Sequence, residues 1–285
     1  MKSFWKKARK NKAFLFSLTG VLILLIIAAS ADLFVRHDPL QENFSYIMGA
    51  PNKEYICGTD HIGRCIFCRI LSGAKNSLLI TFLIIFLIIF IGTVLGMTAG
   101  FFGGILDVII MRITDILMSI PIQVFAIALI AVLQPGIGNV ILAVSLLWWT
   151  RYARMTRNQV TALRQKAFID EARLGGESKI RILSRYIFPE LLPELVVMAA
   201  LDVGRLILAI AGLSFLGLSS QPPIPEWGYM LSEGKKYIQK APWLLLYPGI
   251  AILITVILFN LLGDSVRNIL SPRGIRKKNR LKISQ

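Results

Sequence analysis

From Asn76 to Leu106 the chain runs 31 residues without a charged side chain, most of them Leu, Ile, Phe, Gly and Thr. About 20 apolar residues already cross a hydrocarbon core of about 30 Å, so a run this long constrains the chain to a membrane fold. Further uncharged stretches lie at 13–31, 116–150 and 241–263. The 35 residues of 116–150 exceed one crossing, and the turn-forming sequence QPGIGN at 134–139 divides them. A stretch from Leu195 to Gly212 is interrupted only by Asp202 and Arg205. With Gly103-Gly104 as a tight turn and Pro121 bending the span that follows it, the pattern predicts six transmembrane helices in an all-α polytopic membrane protein.

Composition agrees with this class. The 285 residues are 55% hydrophobic and 17% charged, against about 45–50% and about 25% in soluble domains. A net charge of +16 would suggest nucleic acid in a soluble chain. Here 22 of the 32 Lys and Arg fall in 1–12, 151–189 and 267–285, segments that six spans place on one side of the membrane. Positive-inside orientation accounts for them and puts both termini in the cytoplasm, with no nucleic-acid partner. The expected organisation is a basic N-terminus (1–12), a first transmembrane helix (13–35), an extracytoplasmic segment (36–75), a membrane core (76–266) with a cytoplasmic loop at 157–189, and a basic cytoplasmic tail (267–285). The rival for 13–31 is a cleaved signal peptide ending at Ala29-Ser30-Ala31, leaving five spans. At 19 residues the stretch is longer than the usual 7–15-residue apolar core, which favours an uncleaved span.

Within the core, Gly92, Gly96, Gly100 and Gly104 fall four apart and line one helical face, the pattern that lets membrane helices approach closely. Arg112 and Asp115 read as a structural pair at the cytoplasmic interface, and WWTRYARMTR ends the fourth span. The extracytoplasmic segment predicts a short helix of mixed polarity near 60–72, and residues 214–240 read as a Pro- and Gly-rich external loop. Cys57, Cys65 and Cys68 are too few for a disulfide framework. The lone CxxC of Cys65 and Cys68 reads as small apolar residues on a short helix. His37, His61 and the cysteines are set aside as metal ligands, and no metal site is expected.

No GxxxxGK[ST] loop occurs, so the chain should not hydrolyse nucleotides itself. Two histidines, both in the external segment, assemble no catalytic set. An enzyme is therefore not expected, and transport is. The most charged segment between apolar blocks, Phe168 to Pro193, reads as two short helices broken at Gly175-Gly176. Asp170 and Glu171 sit early in the first helix, where carboxylates suit its dipole; Pro189 is expected to stop the second and turn the chain towards the membrane. The physics leaves open a docking surface for a soluble partner or an ordinary loop.

That segment resembles the EAA coupling loop of permease subunits in ABC importers. Asp170-Glu171-Ala172 stands at EAA, Gly176 at the glycine, and Tyr186-Ile187-Phe188-Pro189 at the closing I-x-LP, with the spacing kept. Asp170, Glu171, Tyr186 and Phe188 depart from the usual residues. GTDHIGR at 58–64, GFFGGILDVIIMRITDIL at 100–117, LSFLGL at 213–218, PPIPEWGYMLSEG at 222–234 and FNLLGDSVRNILSP at 259–272 all resemble the dipeptide/oligopeptide/nickel permease family, its second permease subunit in particular. Cys65 departs from it, standing where the family commonly has Asp.

The resemblance implies a type I ABC importer transmembrane domain in a bacterial cell membrane. It implies a second homologous permease, two cytoplasmic ATPase subunits that bind the ATP and Mg this chain does not, and an extracytoplasmic substrate-binding protein. It assigns ATPase coupling to Asp170, Glu171, Ala172, Gly176 and Pro189. Asp202 and Arg205, one helical turn apart, read first as an intramembrane ion pair and second as lining of the cargo path. Three stretches, GTDHIGRCIF, 151–168 and 201–218, look more like the nickel branch. They favour nickel or another transition metal, bare or as a chelate, over di- or oligopeptides.

Overall fold

The computed structural model describes residues 8–35, 37–219 and 222–270. The basic residues at 1–7 and the tail beyond 270 lie outside them. Nine principal helices occur among the described residues: α1 (Lys12–Ala29), α2 (Ile66–Phe102), α3 (Gly104–Met118), α4 (Ile122–Leu133), α5 (Ile137–Leu163), α6 (Ala167–Leu174), α7 (Lys179–Phe215), α8 (Trp227–Gly234) and α9 (Trp243–Leu270). No strand forms among these residues; Thr59 and Cys65 make an isolated antiparallel bridge. The all-α expectation stands.

Helices α1, α2, α7 and α9 are each long and apolar enough to cross a membrane, and α3 with α4 makes a fifth span if the pair counts as one. These two meet at 87°. Pro121 caps α4, lacks an N–H and biases Ile120 away from the helical region, so a break replaces the bend expected there. The sixth expected crossing falls in the first half of α5, which is not among the helices long and apolar enough to span, so four or five crossings are supported rather than six; its second half carries Arg151, Arg154 and Arg157. Exposed side chains on α2 and α3 include Leu79, Phe86, Phe90, Ile105 and Ile116, surface suited to lipid.

Three other expectations change. The short helix near 60–72 is not separate, because α2 begins at Ile66 and continues unbroken to Phe102. The external loop at 214–240 contains α8, whose N-terminus is capped by the Glu226 carboxylate accepting the N–H groups of Gly228 and Tyr229 at 2.9 Å each. Pro189 does not stop a helix. It occupies the first turn of the α-helical stretch Phe188–Phe215, where its missing N–H costs no bond, and the preceding π-turn Ile182–Ile187 carries the chain into it.

The described residues group into two units. One comprises the described residues of 8–77, 197–208 and 225–270. Here α1 packs along α9, around Ala8, Phe14, Val266 and Ile269. Small residues permit close contact, Gly20 against Leu258 and Gly263 against Leu201.

The second unit comprises 78–196 and 209–224. Its α3 and α4 each pack on α5. The glycine ladder of α2 also faces α5. A Cβ on Gly92 would stand 2.5 Å from the Tyr152 Cβ, one on Gly96 2.5 Å from the Ala153 carbonyl oxygen, and one on Gly100 2.7 Å from the Arg157 carbonyl oxygen. Gly104 is no rung, having nothing within 4 Å; with φ of +60° after +67° at Gly103, it belongs to the turn between α2 and α3. Gly96→Ala is therefore expected to destabilise the detergent-solubilised chain by about 1–3 kcal/mol through overpacking. Gly138→Ala, on α5 with open space around it, should leave the thermal midpoint unchanged within about 0.5 kcal/mol. Equal midpoints for the two variants would refute the close seam.

Candidate functional site

In the second unit, α6 is short and two-faced: Ile169 and Ala172 are buried, while Asp170, Glu171 and Arg173 are exposed. It ends in a full Schellman cap. The Gly176 N–H donates to the Arg173 carbonyl at 3.0 Å and the Glu177 N–H to the Ala172 carbonyl at 3.1 Å. Gly176 holds φ of +77°, with nothing within 4 Å of a would-be Cβ. The glycine of the sequence pattern is thus required by backbone conformation rather than by space. Ser178 then caps α7, its hydroxyl accepting the Arg181 N–H at 3.4 Å.

Two apolar side chains flank this turn in the open, Leu174 at 89% exposure and Ile180 at 79%. In a segment otherwise covered by ion pairs, Arg173–Asp170 at 3.1 Å and Arg181–Glu177 at 2.8 Å, such a pair marks a contact surface. Arg164 ties the base of the turn to α2 by donating to the Phe101 carbonyl at 2.9 Å, and the Lys179 ammonium lies 5.7 Å from the Phe102 ring centre. With Arg173 and Glu177, these residues border a groove of about 460 Å³.

The expected Arg112–Asp115 pair does not form as read. Asp115 pairs with Arg154 at 2.5 Å and Asp107 with Arg157 at 2.5 Å, because α3 packs on α5 and presents its carboxylates to the arginines there. Asp202 and Arg205, in the first unit, do pair at 3.1 Å, with the Asp202 side chain 1% exposed and that of Arg205 55%.

What the sequence did not reveal is that the charged residues of GTDHIGR and PPIPEWGYMLSEG pair with one another; the first unit brings them together. Arg64 reaches Asp60 at 2.7 Å and Glu233 at 2.8 Å; Arg69 bonds the same Asp60 and, at 2.6 Å, the same Glu233. All four side chains are largely buried, two charges of each sign. Trp227 and Trp243 pin the surroundings, donating to the Ile70 carbonyl at 2.9 Å and the Thr59 carbonyl at 3.3 Å. The available signal was the complementary charge of two stretches far apart in sequence.

Burial alone would raise the Asp60 carboxyl, but Arg69, Arg64 and main-chain N–H groups outweigh it and hold it below the ordinary carboxylate value. A depressed folded value means its contribution to stability is complete above the unfolded value of about 3.9 and is lost as pH falls through the lower folded one. The thermal midpoint should therefore be insensitive to Asp60 between pH 5 and 8 and fall below about pH 4. In an Asp60→Asn variant that acid limb should be shallower, and an unchanged limb would count against the assignment.

Elsewhere in the first unit His61 stacks on Tyr237, ring centres 5.5 Å apart. His37, set aside in the sequence as a ligand, stacks on Tyr55 at 5.1 Å and comes together with Cys65 and Cys68.

The family model for binding-protein-dependent transport system inner membrane components matches residues 92–276. A model for the N-terminal TM domain of oligopeptide transport permease C matches 1–52. The chain is 38% identical to a dipeptide transport system permease protein, DppC, of Alkalihalophilus pseudofirmus, covering 94% of this chain and 88% of that one. It is 36% identical to the nickel transport system permease protein NikC of Escherichia coli K12, covering 88% and 91%. It is 39% identical to the glutathione transport system permease protein GsiD of Escherichia coli O157:H7, covering 95% and 89%. A chain of the MetNI methionine ABC transporter in an inward-facing conformation shares its fold, with a TM-score of 0.58 at 22% identity over 72% of this chain and 98% of that one.

Proposed function

Since the chain belongs to the family of binding-protein-dependent transport system inner membrane components, the membrane permease subunits of ABC importers, we propose that its α6–α7 turn is where an ATPase subunit docks. The observation that carries this is the pair of exposed apolar side chains, Leu174 and Ile180, held out on either side of a Schellman-capped glycine turn. Asp170 and Glu171 line the exposed face of α6, Ala172 keys that helix to the layer beneath, and Gly176 fixes the reversal. Pro189 serves as a first-turn residue of the helix leading away. The turn and both termini face the cytoplasm in this reading. A second permease completes the pathway, two ATPases supply the energy and a binding protein delivers cargo from outside. Asp202 and Arg205 act as a structural pair within a span.

The cargo we propose is nickel or another transition metal, carried bare or as a chelate. The stretches GTDHIGRCIF, 151–168 and 201–218 support it, as does the nickel relative. A di- or oligopeptide is the second reading, supported by the dipeptide and glutathione relatives at equal similarity. Uptake of radiolabelled nickel, with and without chelator, against a labelled dipeptide decides between them in cells carrying the whole importer. Saturable nickel uptake lost on deletion of this chain is expected. Saturable peptide uptake without metal dependence overturns the metal reading.

A further inference from the structure

We propose that His37, Cys65 and Cys68 form a binding site for a thiophilic divalent metal ion of the zinc class, held by one imidazole nitrogen and two thiolates. This goes beyond the transport function and does not depend on which cargo is carried. The ligand atoms of the three side chains all lie within 4.8 Å of one another, with both cysteines buried and free. Zinc bonds of about 2.3 Å to sulfur and about 2.0–2.1 Å to nitrogen put tetrahedral ligand atoms roughly 3.5–3.8 Å apart, so closing on an ion needs a contraction of at most about 1.3 Å.

The groups around the site prepare it. Cys65 immediately precedes α2, and its sulfur accepts the Cys68 N–H at 3.3 Å. The Cys68 N–H and the start of α2 thus hold the two sulfurs on one helical turn. The His37 ring lies beside the two sulfurs and is fixed by stacking on Tyr55. Tyr55, Val35 and Phe67 pack around the cysteines, giving the apolar surround that holds a metal site rigid. On one side a cavity of about 430 Å³, lined by His37, Glu42, Asn43, Tyr55 and Cys65 among others, gives an ion access and leaves room for a water or carboxylate as fourth ligand.

The ligand set selects the metal. Two thiolates with a neutral imidazole balance a divalent ion, so the complex adds no net charge to a buried place. Sulfur and imidazole favour zinc-class ions over magnesium or calcium. Binding forms two metal–sulfur bonds and one metal–nitrogen bond and releases two thiol protons to solvent, with no change of oxidation state. The ion would tie residue 37 to the start of α2, closing the intervening segment into a stapled loop.

The test uses the full chain purified in detergent under reducing conditions, with Co²⁺ as spectroscopic probe and Zn²⁺ as competitor. One Co²⁺ per chain is expected, giving a thiolate-to-cobalt charge-transfer band that Zn²⁺ abolishes. Cys65→Ser, Cys68→Ser and His37→Ala should each weaken binding at least about tenfold, and Cys57→Ser should not. Because a variant can misfold, the unmodified chain is also alkylated with and without Zn²⁺, which should protect Cys65 and Cys68 but not Cys57. Absence of the band, a band that survives Cys65→Ser with Cys68→Ser, or a Cys65–Cys68 disulfide in chain isolated without reductant would overturn the site. None of these readouts involves transport, so failure here is distinguishable from failure of the permease reading.

Discussion

Replacing Leu174 with aspartate should reduce cargo-stimulated ATP hydrolysis by the reconstituted importer roughly thirtyfold while leaving this chain's own stability unchanged. The magnitude is that of losing about 2 kcal/mol at an interface hot spot. The dissociation of function from stability follows from exposure: at 89% the side chain supports nothing within the chain, so its removal should cost under about 0.5 kcal/mol. Gly176 supplies the companion test. Its φ of +77° lies in empty space, so only backbone conformation is at stake. Gly176→Asn, which tolerates the left-handed region, should keep most coupling, whereas β-branched Gly176→Val should lose it. Equal activity in the two variants, or full activity in Leu174→Asp, removes the turn from the coupling role.

The second large effect belongs to the buried charges. Arg69→Met is expected to cost about 3–5 kcal/mol, since it leaves Asp60 and Glu233 sharing Arg64 alone in a place closed to water. The loss should appear as a fall in thermal midpoint in detergent. Adding Glu233→Gln should recover part of it by removing the carboxylate left short of a partner. Losses that simply add would show that the four residues do not act together. For contrast, Arg173→Met breaks a pair whose members are both more than 40% exposed, and the expected loss is about 1 kcal/mol or less.

Much of this was legible in the sequence because it depends on short-range rules. Uncharged runs located the apolar helices, the four-residue glycine spacing marked the close-packing face of α2 though not its partner, and Gly175-Gly176 gave the turn. What escaped depends on which element packs on which. Arg112 and Asp115 look paired on one helix face, but Asp115 turns to Arg154 because α5 lies alongside. Proline was read as a stop at 189 and a bend at 121, and the opposite weight applied at each. Local position decides this: Pro189 falls in the first turn of an α-helical stretch, which tolerates the ring, while Pro121 stands at the N-terminus of α4, where the chain turns. Gly104 matches the ladder in spacing only, since Gly103 has already turned the chain. His37 and Cys65 stand 28 positions apart, and no periodicity joins them.

The seam between α2 and α5 has a mechanical consequence. Three glycines leave α2 with no side chain of its own on this face, so half of the layer that ordinarily yields under load is missing and the α2 backbone meets main-chain and Cβ atoms of α5 directly. Arg157 to Asp107 and Arg164 to the Phe101 carbonyl brace the same end of it. A displacement delivered at Leu174 and Ile180 therefore meets a strut rather than a cushion. Its stiffness is set by main-chain and Cβ atoms in contact, and little of the stroke should be absorbed before it reaches α2.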